Sequence, residues 1–194
     1  INMKKSIFLA ALVLISAGCF AQKANVSKAR GLADAETPDY AGARAAIAEA
    51  LQNEETKEQA NTWYVAGFIG YKEFETANLN RQIGRNIDFD QWGAAVYESV
   101  GYWDKAYELA MIPTYDKKGR AKYDTRTPKN ILPKLQEYFM YQPMIIAGFN
   151  AYEANNPSLA YDMFIKHCNI PDAKIFQDNP EEAAKLLRDT SYYT

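Results

Sequence analysis

A short segment that occurs twice constrains this chain more than any other feature. Trp63-Tyr64-Val65-Ala66-Gly67-Phe68-Ile69-Gly70-Tyr71 returns 81 residues later as Met144-Ile145-Ile146-Ala147-Gly148-Phe149-Asn150-Ala151-Tyr152, and Ala-Gly-Phe-x-x-Tyr is identical in both copies. Trp63, Ala66, Gly67 and Gly70 fall at i, i+3, i+4 and i+7, which is one face of a helix. Met144, Ala147, Gly148 and Ala151 repeat that face. Each glycine costs roughly 1 kcal/mol of helix propensity against alanine. A ridge of small residues recovers that cost by letting a second helix come close, toward the short end of the ~8–10 Å interaxial range. Self-similarity of this kind points to a repeat architecture built from helical hairpins.

The partner helices carry a matching signal. Ala160 is followed by Phe164, an Ala-x3-Phe step, and Ala43-x3-Ile47 and Ala106-x3-Ala110 are weaker copies of it. Together these residues resemble the tetratricopeptide repeat, whose pattern is W-x2-L-G-x2-Y, then A-x3-F, then P, over about 34 residues. Trp63 and Gly67 match. Ala66 replaces the leucine, Tyr71 comes one place late, and the second copy has Met144 in place of the tryptophan. The resemblance covers most of the chain and implies an all-α superhelix of antiparallel hairpins. Repeat spacing is uneven, so insertions are expected around Thr76 to Asp90 and around Thr114 to Asn130. The arrangement is also similar to exported repeat proteins of Bacteroidetes. The family places a concave binding face on the first helix of each pair. Here that maps onto Asn61, Tyr64, Phe68, Tyr71 and Lys72, and again onto Gln142, Ile145, Phe149, Tyr152 and Glu153. Packing of Phe68 and Phe149 against neighbouring repeats is the alternative role for those two rings.

Helix boundaries follow from caps and prolines. Pro38 opens a helix to about Leu51, with Ala43, Ala46, Ile47, Ala50 and Leu51 as its buried stripe. A second spans about Lys57 to Thr76. Asp88 or Asp90 caps a third, weakened by Gly93 and Gly101 and stopped by Pro113. A fourth runs from about Leu132 to Ala154 with a kink at Pro143. Asn156-Pro157 starts a fifth that ends before Pro171, and Asn179-Pro180 a sixth. Tyr115 to Tyr123 is the one segment that suits a small hairpin, with its basic residues in a solvated loop or a partner contact.

The first stretch belongs to export rather than to the fold. Lys4-Lys5, the apolar run Ile7 to Ile15 and the small residues Ser16 to Ala21 form a signal peptide, leaving residues 22–194 as the repeat domain. Cleavage after Ala21 is the favoured form. The run ending at Cys19 also resembles a lipobox, with Ser16 where leucine is expected, and would make Cys19 a lipid anchor. Release after Ala21 leaves 20 basic against 24 acidic side chains and Cys168 as the single cysteine, expected to be a buried, inert thiol. At the other end, Tyr192-Tyr193 stand where Trp63-Tyr64 stand in the first copy, and no polar terminal helix follows them. The array is therefore expected to continue, with Ala184 and Leu187 left exposed.

Charge and composition exclude several functions. A net charge of −2 gives no electrostatic footprint for nucleic acid. One histidine and two cysteines leave no zinc or iron–sulfur ligand set, and no cofactor is expected. His167 and Cys168 lie about 100° apart on a helix and do not form a nucleophile–base pair. No glycine-rich phosphate loop or hydrolase motif is present. The expected protein is therefore a non-enzymatic scaffold, periplasmic or attached to the envelope, that binds a protein or peptide on its concave face. The alternative is a glycan-binding accessory protein or lipoprotein, suggested by 3 Trp, 14 Tyr and 9 Phe, since sugar faces stack on such rings.

Overall fold

The computed structural model describes residues 23–188. The expected signal peptide, Cys19 and Tyr192-Tyr193 therefore lie outside the described residues. Among those described the chain is helical apart from one short β-ribbon: α1 (23–33), α2 (Tyr40–Gln52), α3 (Ala60–Gln82), α4 (Phe89–Ala110), β1 (Thr114–Tyr115), β2 (Ala121–Lys122), α5 (Arg126–Tyr141), α6 (Pro143–Glu153), α7 (Pro157–Cys168), α8 (Lys174–Gln177) and α9 (Pro180–Arg188).

Local chemistry accounts for most of these boundaries. Asp39 accepts from Gly42 N–H at 2.8 Å to start α2, Asp88 from Gln91 N–H at 3.0 Å to start α4, and Asn156 from Leu159 N–H at 3.3 Å to start α7. α3 and α6 end in the same way. Gly84 and Asn155 adopt left-handed backbone (φ 75° and 60°), and the next N–H in each case bonds back to Asn80 and Ala151 carbonyls at 2.9 and 2.8 Å. Asp116 gathers the N–H groups of Lys118 and Arg120 at the tip of the β-ribbon, where Gly119 has φ 73°.

Two expectations change here. The segment Thr76 to Asp90 is not an insertion, because α3 runs through it to Gln82 and only a short turn precedes α4. The segment Thr114 to Asn130 holds the β-ribbon and the first turn of α5. Pro143 also does more than kink one helix. Its ring and missing N–H oppose a continuous helix, and the residue before a proline disfavours right-handed helical backbone. Gln142 accordingly turns left-handed (φ 52°, ψ 40°), α5 stops, and Pro143 opens a separate α6.

Packing follows the ridge of small residues. α1–α2, α3–α4 and α6–α7 are antiparallel hairpins, and α4 also carries α6. A Cβ on Gly67 would strike the Trp103 indole, and one on Gly70 the backbone carbonyl of Ala95 and the Ser99 hydroxyl. A Cβ on Gly148 would lie 2.5 Å from Phe164 Cε1, so the partner of Gly148 is Phe164, one turn beyond Ala160. Gly93 does more than weaken α4: a Cβ there would collide with Ala147, and its absence lets α4 meet α6. Trp63 donates its indole N–H to the Lys57 carbonyl at 2.6 Å, while Ala66, Ala106, Ala147, Ala151 and Ala160 are all buried. The core is aromatic at its centre. Phe74 stacks on Trp92 at 5.8 Å, and Tyr138 of α5 reaches in between α3 and α4, 4.9 Å from Phe74 and 5.6 Å from Trp103. α8 and α9 turn back toward α4 and α5, where Tyr107 donates to Asp178 at 2.7 Å and Gln136 to Glu182 at 2.7 Å. Ala184, expected to be exposed, is half-buried there, and Leu186 is buried. The side chain of Leu187 lies outside the described part of the structure.

Candidate functional site

The two copies of the repeated segment end in different surroundings. On α3, Phe68 and Tyr71 are 7% and 6% exposed; on α6 their counterparts Phe149 and Tyr152 are 60% and 65% exposed. The cause is what lies over them. Arg30 of α1 sits above the Phe68 ring at 5.2 Å, and Lys134 of α5 above the Tyr71 ring at 4.7 Å. Tyr71 also donates its hydroxyl to Glu137 of α5 at 2.7 Å, and burial with that neighbouring carboxylate pushes its pKa far above the usual tyrosine range. Tyr64 is buried as well, and Lys72 is tied to Asp34 and Glu75 at 3.1 and 2.8 Å. Only Asn61 of the first set stands in solvent. The expected concave face on α3 is thus occupied by the chain's own α1 and α5.

The second set is open. Phe149, Tyr152 and Glu153 are exposed, and Gln142 and Ile145 half-buried. At 100° per residue, Ile145, Phe149 and Tyr152 project from one side of α6. That side adjoins Phe164 of α7, whose ring meets Phe149 edge-on at 5.2 Å. Tyr161, 64% exposed, and Ile165 continue the apolar surface along α7. Sequence reasoning missed these last two. Their signal was present, since they fall off the buried stripe of Ala160, Met163 and His167 yet are apolar. Glu153 and Asp162 bound the strip on its two outer edges.

The histidine and cysteine sit apart from this strip in character. His167 is buried, stacks on Phe139 at 5.0 Å with the rings 3° from parallel, and its Nδ1 has no hydrogen-bond partner among the described residues. Burial pushes its pKa down to about 4. Cys168 is exposed rather than buried, because it lies beyond the stripe that faces the core. A crevice of about 490 Å³ lies between α4, α5, α7 and α8, with Asp104 and Lys166 in its lining, 3.6 Å apart. Burial raises the Asp104 pKa against the lowering influence of Lys166. No local signal announces this crevice, since its walls come from distant parts of the chain. Among the described residues no group of three His, Cys, Asp or Glu side chains is placed to hold a metal, and no helix is long and apolar enough to cross a membrane.

Comparison with known protein families, characterised proteins and solved structures finds no match for this chain.

Proposed function

We propose that this chain is an exported, non-catalytic scaffold of tetratricopeptide-like hairpins that binds a protein or peptide through the outer side of α6–α7. One observation carries the reading: Phe149, Tyr152, Tyr161 and Ile165 stand exposed on α6 and α7, with Phe149 edge-on to Phe164, and no described helix covers them, while the same motif on α3 is covered by helices. An apolar patch rimmed by polar groups on an otherwise polar surface is the usual mark of an interaction site. The binding face of the reading therefore draws on Ile145, Phe149, Tyr152 and Glu153 from the second set, joined by the α7 side chains. Phe68 and Tyr71 serve packing.

A glycan-binding role is the second reading, and the exposed rings of Phe149, Tyr152 and Tyr161 favour it. The aliphatic side chains of Ile145 and Ile165 among them suit a protein surface better than a sugar face. Pull-down with the 22–194 chain from an envelope extract, beside a glycan array, separates the two. The protein reading expects capture of a partner that Phe149→Ser/Tyr152→Ser abolishes. Array binding lost in the same variant would replace it with the glycan reading, and capture indifferent to the substitutions would remove the site.

A further inference from the structure

The α3–α4 hairpin shows what a surface of this design accepts. Gly67 against Trp103 corresponds to Gly148 against Phe164, so Trp103 and Phe164 occupy equivalent places, as do Tyr71 and Tyr152. On the first hairpin one helix covers both rings. Tyr138 of α5 stacks on Trp103 at 5.6 Å with the planes 19° apart and meets Tyr71 at 6.0 Å. Lys134, one turn earlier on α5, places its ammonium over the Tyr71 ring at 4.7 Å. The covering device is a cation followed at i+4 by an aromatic, on the apolar side of a helix. On the second hairpin no described helix covers the equivalent rings, because α8 and α9 turn back toward α4 and α5 instead.

The charges at the bare surface complete the pattern. Glu153 and Asp162 flank the strip, both exposed, and neither makes a hydrogen bond or ion pair among the described residues. The nearest cation on α7, Lys166, is engaged by Asp104 at 3.6 Å and lies over Tyr97 at 5.6 Å. The surface therefore presents ring faces and two carboxylates that no described cation neutralises. Two helices packed about 8–10 Å apart leave a groove between them that a third helix fills.

We infer that the α6–α7 groove takes an amphipathic, basic α-helix from a partner protein, seated with an aromatic side chain between Tyr152 and Phe164 and a lysine or arginine one turn before it. This rests on the protein-binding reading above and narrows it to one class of partner. Docking would cover Phe149 and bring the partner's cations to Glu153 and Asp162, as α5 brings Lys134 to Tyr71.

The probe is a fluorescent peptide of the α5 sequence, residues 126–141, held helical by a side-chain staple and titrated into the 22–194 chain while anisotropy is followed. Binding is expected, and Phe149→Ser/Tyr152→Ser in the protein should abolish it while circular dichroism stays unchanged, since both rings are exposed. Within the peptide, Tyr138→Ala and Lys134→Glu should each weaken binding by about tenfold. Glu153→Lys/Asp162→Lys in the protein should restore binding of the Lys134→Glu peptide. No binding, or binding indifferent to the Phe149 and Tyr152 substitutions, overturns the inference. Equal binding of a proline-broken, unstapled peptide at the same residues overturns the helical occupant but leaves the protein-binding reading standing. Sedimentation decides a further case: a dimer without peptide that Phe149→Ser dissolves would make a second copy the occupant and overturn the partner helix.

Discussion

Replacing helical glycines with alanine one at a time measures how closely the hairpins approach. Alanine is favoured over glycine in a helix interior by roughly 1 kcal/mol, so each substitution starts with that gain. Gly101 on α4 is exposed, with nothing within 4 Å of the place an added methyl would take. Gly101→Ala should realise the whole gain, raising the melting midpoint by about 2–4 °C in a chain of this size. At Gly70 the methyl meets the Ala95 carbonyl oxygen, which belongs to the backbone of α4 and cannot swing aside. Overpacking of that kind costs about 1–3 kcal/mol, so Gly70→Ala should fall below Gly101→Ala by about that amount. Gly148 is the intermediate case. Its methyl would touch the Phe164 ring at 2.5 Å, but that ring is only half-buried and can give way toward solvent, so Gly148→Ala should be near neutral. Gly148→Leu exceeds what the ring can yield and should cost about 1–3 kcal/mol. Urea unfolding followed by circular dichroism, with unchanged slopes, gives the comparison. If Gly70→Ala stabilises as much as Gly101→Ala, close approach of α3 and α4 is wrong; an unchanged midpoint in Gly148→Leu removes the α6–α7 hairpin.

Further outcomes follow from burial and charge. Phe68→Ala should cost about 3–5 kcal/mol as a buried ring, whereas Phe149→Ala should change stability by no more than about 0.5 kcal/mol; equal costs in urea melts would contradict the different surroundings of the two copies. His167 has its pKa pushed down to about 4 by burial, below the unfolded value of about 6.5, so the unfolded chain gains its proton first as pH falls. Stability is complete above the unfolded value and is lost between there and the folded one, by about 2 kcal/mol from pH 7.5 to 5.0. His167→Phe should remove that part of the pH dependence in paired urea melts. Arg44 holds Glu73 at 2.6 Å and Glu98 at 3.0 Å, and only Glu73 is buried, so Arg44→Ala should cost about 1–3 kcal/mol by leaving that carboxylate with the Gln91 amide but no cation, and Glu98→Gln under about 1 kcal/mol, again by denaturant melts. When the full chain is expressed and fractionated, Cys19→Ser should leave processing intact; acyl label on the wild type that vanishes in the variant would establish a lipoprotein.

What was legible in the sequence was whatever a few neighbouring residues decide. Asp39, Asp88 and Asn156 cap helices through their own side chains, and the glycine ridge declares close packing wherever it falls. The errors share the opposite property. α3 passes Thr76 because helix-forming residues continue to Gln82, and the stop is set by Gly84, a single left-handed position that a search for apolar periodicity overlooks. Gly93 counts as a defect on its own helix, and becomes an asset only beside Ala147, which lies on another. The candidate site is the sharpest instance. Phe68 and Phe149 sit in identical motifs, so no local rule can assign one to the core and the other to solvent. The difference comes from α1 and α5, and α5 reaches Tyr71 because the segment after α4 brings Lys134 and Tyr138 back over it. No corresponding segment returns over Tyr152 among the described residues, since after α7 the chain turns to α4 and α5. An apolar motif that is buried when its helix is present and bare when it is absent behaves as half of an interface. On the proposal above, the other half resembles α5 in chemistry, which is why the cation and aromatic of α5, rather than the exposed rings alone, define what the surface should be offered.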